Sequence, residues 1–445
     1  MEINKLAHTL PQIYKVKCSF FLILVGIIGF ISALSAQTAK DEIFANIQKS
    51  ASNYYAYPEP DASVKQTPAP KDYKPFYISH YGRHGSRYLI DSRQYEDPMK
   101  TLSRADDAGM LTPLGKEVKK RVSVLCEMAE DRYGELTPLG ARQHRGIAER
   151  MYSNFPEVFN NSTIIDARST VVIRCILSMT NECMRFKELN PNLHIYTDAS
   201  QHDMYYMNYD DKRIKSYRKD SAARATYAAF KKKHLHPERL INLLFTNTEY
   251  VQKHVNSAKL MTQLFDLAGN IQSMDSNITL YDLFTKDECY DLWLCDNAEY
   301  YINYGPSPLT YGLMPYSQTN LLTNILNTAD TVLSAGKSAA TLRFGHEICV
   351  MPLACLLELG NCGAIVNNLD ELADKWKNYT IYPMACNIQF VFFRKKNSDD
   401  ILVKALLNER EVSLPVKSDM APYYHWADVK AYYRTKLAAF KNQPY

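Results

Sequence analysis

Apolar residues along this chain fall into short strand-like runs separated by long amphipathic stretches. Strand signals lie at 76–79, around Phe76, Tyr77 and Ile78, and then at 163–167, 194–196, 340–344, 386–394 and 401–407. Within 386–394 the alternation of Ile388, Phe390 and Phe392 gives the period of two that a strand requires. Two segments between the first pair of strands repeat one punctuation, Leu111-Thr112-Pro113-Leu114-Gly115 and Leu136-Thr137-Pro138-Leu139-Gly140. Each places threonine at an N-cap and proline at the first helical position, so helices are predicted from there to about 133 and 155. From 180 to 336 strand signals vanish apart from 194–196 and helical spacing dominates, which predicts a helical insertion or cap domain; a last helix is predicted over 425–440. Residues 37–75, rich in Pro, Ala, Ser and Tyr and without sustained periodicity, read as a mobile leader wrapping onto the domain. Strands separated by helices predict an α/β core, 76–179 and 337–445, built on a mixed, largely parallel central sheet flanked by helices. Ligands of such sheets bind outside the carboxyl ends of the strands.

Composition narrows the classes. A chain of 445 residues with 46% hydrophobic positions can bury one large core or two smaller ones. The net charge of +4 gives no whole-molecule field for nucleic acid, and no zinc-type cysteine spacing or glycine-rich phosphate loop is present. Lys15 and Lys17, the uncharged run 18–34 and the small pair Ser35-Ala36 read as a secretory signal peptide over 1–36, against the alternative of an uncleaved anchor. Cleavage would leave no stable membrane insertion. Export permits disulfides, yet the ten cysteines form no compact framework, and Cys175, Cys349 and Cys355 sit in apolar contexts as small buried hydrophobes.

The chemistry concentrates in Arg83-His84-Gly85-Ser86-Arg87, directly after the first strand. Two guanidiniums match phosphate oxygens, and a neutral imidazole nitrogen can attack phosphorus. Glycine beside the histidine lets the backbone turn tightly enough for the side chains to converge. An isolated string of this kind could be a solvated loop. It is joined, however, by Gly345-His346-Glu347 at the end of strand 340–344, and by Ala167-Arg168-Ser169-Thr170 with Arg174 after strand 163–167. Arg168 reads as structural and His80 as a core histidine, while Arg343 is open between a core ion pair and the phosphate pocket.

Together these motifs resemble the histidine acid phosphatases, the branch of the histidine phosphatase superfamily that includes phytases, whose core is like that of phosphoglycerate mutase. The resemblance implies that His84 is the nucleophile that becomes phosphohistidine. It implies that Arg83, Arg87, Arg174 and His346 hold the phosphoryl oxygens, with Ser86 and Arg343 in the substrate-binding set. Glu347 stands where the family usually has aspartate and would be the proton donor, one methylene longer. Gly134-Glu135-Leu136-Thr137-Pro138-Leu139-Gly140 resembles the family's helix start. Leu89 replaces the proline that commonly follows the first motif. Met351-Pro352-Leu353 resembles the inositol polyphosphate phosphatase branch, although that branch often places its glutamate where Ile348 stands here.

The activity this resemblance implies is metal- and cofactor-independent hydrolysis of a small phosphomonoester, an inositol polyphosphate by the branch it resembles, by a secreted or periplasmic enzyme. The alternatives are a general acid phosphatase acting on sugar phosphates, a mutase using the same intermediate, and a phosphate-binding protein impaired by Glu347. Basic clusters at Lys212-Arg213, Arg218-Lys219 and Lys231-Lys232-Lys233 could greet a highly phosphorylated substrate or form a solvated helix face.

Overall fold

The computed structural model describes residues 38–60, 65–208 and 211–441; the signal-peptide reading of 1–36 falls outside the described residues. Eight strands form one mixed sheet: β1 (Tyr73–Arg83), β2 (Ile164–Ser169), β3 (His194–Asp198), β4 (Ala339–Gly345), β5 (Asn387–Lys395), β6 (Ile401–Leu407), β7 (Arg410–Val412) and β8 (Tyr424–His425). Its order is β3-β2-β4-β1-β5-β6-β7, with β8 on β6. The half from β3 to β1 is parallel, and β5, β6, β7 and β8 extend it antiparallel.

Alternation along β1 decides the two faces. Ile78 joins Ile165, Leu342, Phe344 and Val391 under the helices Pro138–Asn154 and Ile173–Leu189, which contribute Ile147, Met151, Met179 and Phe186. Tyr77 and Tyr81 face the other way, packing with Phe390, Phe392 and the helices Glu347–Leu356, Thr319–Ala335 and Trp426–Lys441. A third apolar cluster joins Arg93–Asp107 and Pro113–Ala129 to Glu238–Leu244 and Ser257–Ile271, so helices from before β2 pack with helices from between β3 and β4. Both threonine caps form as the sequence requires: Thr112 Oγ1 accepts from Gly115 N–H and Thr137 Oγ1 from Gly140 N–H.

The segment before β1 differs from its sequence reading. It forms a helix, Ala39–Ala45, closed by a Thr38–Asp41 capping box, and a 3-10 helix, Ile47–Tyr54. These bury Ala39, Ile43, Ala51 and Tyr55 against Trp293 and Tyr379. Two of the four are alanines, and the buried positions are too widely spaced to leave a sustained periodic signal. Among the described residues no helix is long and apolar enough to cross a membrane.

Register brings the motifs together. Arg83 pairs with Gly345 across β1 and β4, and Ser169 pairs with Phe344 across β2 and β4. Three neighbouring parallel strands therefore end side by side, each delivering one of the sequence motifs to the same edge.

Candidate active site

The backbone of the first motif is fastened before its side chains are considered. Arg83 N–H donates to the Cys386 carbonyl at 2.8 Å, His84 N–H to the Gly345 carbonyl at 3.0 Å, and Ala385 N–H to the His84 carbonyl at 3.0 Å. His84 Nδ1 lies 2.9 Å from the Gly85 carbonyl. A carbonyl only accepts, so Nδ1 carries the proton and Nε2 keeps its lone pair. That Nε2 is buried without a hydrogen-bond partner among the described residues and sits 3.8 Å from Glu347 Oε2. Burial, reinforced by Arg83, Arg174, Arg87 and His346, holds the imidazole well below its usual 6.5. The ring is therefore neutral.

Around it stand three guanidiniums. Arg83 is fully buried; its Nη1 donates to the carbonyls of Asn53 at 2.8 Å and Tyr382 at 3.0 Å, its Nε lies 3.1 Å from Glu347 Oε2, and its Nη2 has no partner among the described residues. Arg87 donates through Nη1 to the Tyr88 carbonyl at 2.9 Å and lies 5.7 Å from the ring centre of Tyr54. Arg174, the second residue of its helix, reaches the Gly134 carbonyl at 3.4 Å; burial and then Arg87 lower its pKa. His346 closes the opposite side, its ring centre 5.7 Å from that of His84, edge to face. Its Nε2 lies 3.3 Å from Thr170 Oγ1, and burial, partly opposed by Glu347 and aided by Arg174, Arg83 and Arg87, holds it at about 4.

Glu347 is the first residue of its helix, where the helix dipole favours negative charge. Burial pushes its carboxyl upward, but Arg83, Arg87 and His346 together outweigh burial and hold it at about 2. It is a carboxylate, paired with Arg83.

Six of the eight residues singled out from sequence thus converge: Arg83, His84, Arg87, Arg174, His346 and Glu347. Ser86 and Arg343 do not join them. Ser86 Oγ is fully buried and accepts from Gln143 Nε2 at 3.0 Å, while its N–H donates to Gln143 Oε1 at 2.8 Å. Arg343 Nε donates to Asn324 Oδ1 and Nη1 to Ser79 Oγ, so its guanidinium is spent within the core. Arg168 pairs with Asp166 and Asp198, as a structural residue does.

Gly85 needs its missing side chain for a reason other than a turn. A Cβ there would lie 2.4 Å from the Gly140 carbonyl oxygen, and one on Gly140 would lie 2.3 Å from the Ser86 carbonyl oxygen, so the loop and the helix start interlock backbone to backbone. Residues that sequence reasoning passed over hold the site from behind. They are Gln143, Asn53, Tyr382 and Ser178, whose Oγ accepts from Gly85 N–H at 3.1 Å. The signal for Gln143 and Ser178 was a polar residue on the buried face of an amphipathic helix.

Donor atoms of His84, His346 and Glu347 lie within 4.8 Å of one another, a spacing that two histidines and a carboxylate could use for a metal ion. The three nearby guanidiniums oppose a cation there, as they add to the burial that keeps both imidazoles neutral. The site's chemistry suits an anion.

Known proteins share the fold and much of the length of this chain. Multiple inositol polyphosphate phosphatase 1 of Gallus gallus is 22% identical over 330 residues, covering 69% of this chain and 70% of that protein. The crystal structure of Bifidobacterium longum multiple inositol polyphosphate phosphatase in complex with phosphate superposes with a TM-score of 0.73 at 20% identity, covering 88% of this chain and 98% of that one. The phytase from D. castellii gives 0.65 at 12% identity, covering 88% and 86%. Residues 82–408, which carry both histidine motifs, match the Histidine phosphatase superfamily (branch 2), and the chain belongs to that superfamily as an enzyme of its histidine acid phosphatase type.

Proposed function

We propose that this protein hydrolyses phosphomonoesters through a phosphohistidine on His84. The observation that carries the reading is the unpartnered Nε2 lone pair of a neutral imidazole, buried among three guanidiniums. Nε2 attacks phosphorus and the P–O ester bond breaks. Arg83, Arg87, Arg174 and His346 hold the non-bridging oxygens as their charge redistributes, a contribution of several kcal/mol in comparable sites, on the order of 3 for one well-placed donor. Glu347 gives its proton to the departing alkoxide. As a carboxylate it then takes a proton from the water that cleaves the P–N bond, releasing phosphate and restoring His84. Ser86 and Arg343 support the loop and sheet without touching substrate, and no step calls on a metal or cofactor.

Entry of the phosphate dianion makes the acid available. Its charge offsets the guanidiniums that hold Glu347 ionised, burial then dominates, and the carboxyl takes up the proton it will donate.

The names of the relatives favour an inositol polyphosphate as substrate. One feature favours the second reading, a sugar phosphate or another ester with few phosphates. Beside the cage lies a recess of about 280 Å³ lined by Asn53, Tyr54, Asp266, Asp296, Glu299 and Tyr300 among others. Burial raises Asp266 to about 7 and Asp296 well above the usual carboxylate range; this acidic lining offers additional phosphates on a leaving group no cation and repels them where it is ionised. The basic clusters offer little relief: Lys233 pairs with Asp370, Arg218 stacks 4.3 Å from the Tyr304 ring centre, and Lys231 acts on Asp266 and Asp296. Phosphate release from inositol hexakisphosphate, a sugar phosphate and p-nitrophenyl phosphate, with His84→Ala as control, tests both readings. Hydrolysis by wild type but not His84→Ala is expected, together with an acid-labile phosphoryl adduct. Ligand binding without turnover would make the protein an impaired binder. Export through the 1–36 segment belongs to the same proposal, and fractionation of cells expressing the full chain checks it.

A further inference from the structure

The proposed reaction leaves one buried titratable pair without a part. His144 Nδ1 and Glu182 Oε2 lie 2.9 Å apart, on side chains 1% and 0% exposed, joining Pro138–Asn154 to Ile173–Leu189. His144 Nε2 and Glu182 Oε1 have no partner among the described residues, so the pair is not part of a satisfied polar network. Two apolar residues of similar volume would fill this space at least as stably, because taking charged or polar groups out of water costs more than one contact returns. Stability alone does not account for the pair.

Its neighbours on both helices are the groups that hold the reactive loop. Gln143, adjacent to His144, grips Ser86 through two hydrogen bonds, and Thr137 N–H and Oγ1 donate to the Ser86 carbonyl at 2.9 and 3.1 Å. Ser178, one turn before Glu182, accepts from Gly85 N–H, and Arg174, one turn earlier again, is the third guanidinium of the cage. The pair also bears on the second motif. The Phe344 ring lies 5.7 Å from that of His144 and 5.5 Å from that of His80, and β4 runs from Phe344 straight into His346 and Glu347. The two helices are also joined by Arg145–Glu188 and Arg185–Glu149, half-exposed ion pairs that water screens, and by Ile147, Ala148, Met151, Met179, Cys183 and Phe186, whose contacts tolerate small slips; among these links His144–Glu182 is the buried directional one.

We propose that His144 and Glu182 form a positioning clasp, which fixes the two helices in the one register that sets the His84 loop and Arg174 against each other. The clasp rests on the phosphohistidine reading and adds to it the residues that hold its geometry. Neither residue touches substrate.

The test replaces the pair by an apolar one, His144→Leu/Glu182→Met, and compares it with Glu182→Gln, which keeps an acceptor for His144 Nδ1–H. Steady-state hydrolysis of p-nitrophenyl phosphate is measured per folded molecule, with folding followed by near-UV circular dichroism and thermal unfolding. The apolar pair is expected to unfold no earlier than wild type yet to lose about 100-fold in kcat, the scale of an ångström-sized misplacement, with KM within about threefold. Glu182→Gln is expected to stay within about fivefold of wild type in kcat, since its hydrogen bond survives. A stable apolar pair with wild-type kcat overturns the clasp and leaves only packing. Equal losses in Glu182→Gln and the apolar pair also overturn it, because the bond would then not be what positions the loop. If the apolar pair does not fold, the stability argument fails and the proposal with it. Wild-type protein that releases no phosphate sinks the phosphohistidine reading itself.

Discussion

Replacing Glu347 by glutamine separates its role as acid from its role as counter-charge, and the two move in opposite directions. The cage holds this carboxyl at about 2 against an ordinary 4.5, which corresponds to about 3 kcal/mol of favourable interaction with Arg83, Arg87 and His346 net of burial. An incoming anion must displace that interaction before it can occupy the guanidiniums. Glu347→Gln removes the competitor, so sulfate, which does not titrate in the working range, is expected to bind about 10- to 100-fold more tightly at pH 6, a fraction of the full 3 kcal/mol. Proton linkage gives a second readout. Calorimetry of sulfate binding at pH 5 in two buffers of different ionisation enthalpy should report about one proton more taken up by wild type than by Glu347→Gln, because Glu347 is ionised when free and protonated when the cage is occupied. Turnover should fall in the variant, most for alkyl esters and least for p-nitrophenyl phosphate, whose leaving group needs no proton. Weaker sulfate binding by the variant, or identical proton uptake in both proteins, would refute the coupling between Glu347 and the cage. Equal loss on both kinds of ester would refute the acid role.

Two further outcomes follow from buried groups and close contacts. His80 is buried with both ring nitrogens unpartnered among the described residues, and burial, then His144 and Arg343, hold it at about 3. The unfolded chain binds its proton below about 6.5 while the native state refuses it until about 3, so stability is lost progressively as pH falls from 6.5. At pH 4 the loss is about 3 kcal/mol, and His80→Leu should recover it at pH 4 relative to pH 7 in urea unfolding, whereas parallel curves for both proteins would contradict the assignment. Gly140→Ala places a Cβ 2.3 Å from the Ser86 carbonyl oxygen and 2.8 Å from its nitrogen, backbone atoms that cannot rotate away. The loop must shift, so kcat should fall about 100-fold or more with a lowered melting temperature, and near-normal turnover would show that the interlock is dispensable.

Strands were legible where aromatic and branched residues alternate, and less so where function overrides the pattern. The apolar run marks β1 only at 76–79, yet the strand continues through His80, Tyr81, Gly82 and Arg83, because Phe344 packs the histidine and the carbonyls of Asn53 and Tyr382 hold Nη1 of the arginine. Those partners come from 30 or more residues away and leave no mark on local periodicity. The six converging residues stood out because phosphoryl chemistry dictates their types and each lies at or shortly after the end of a strand. Placing Ser86 in the substrate set, and leaving the pocket open to Arg343, rested on adjacency: proximity to a motif in sequence says nothing of the face on which a side chain emerges, and these two emerge where Gln143, or Asn324 and Ser79, already wait.

A similar limit hid the support beneath the loop. Gln143, His144, Ser178 and Glu182 each look, one at a time, like an ordinary polar residue on a helix. Their burial becomes informative only once Gly140, Ile147 and Met151 fix the inward face of one helix and Met179, Cys183 and Phe186 that of the other. On those faces four polar side chains interrupt two apolar stripes: Gln143 and Ser178 bond to Ser86 and Gly85, and His144 and Glu182, beside and one turn beyond them, bond to each other. A polar interruption shared by two packed stripes costs folding free energy that an unbroken core would keep. Its persistence directly under the loop that carries His84 argues that the geometry of that loop, and not the stability of the core, determines which residues stand there.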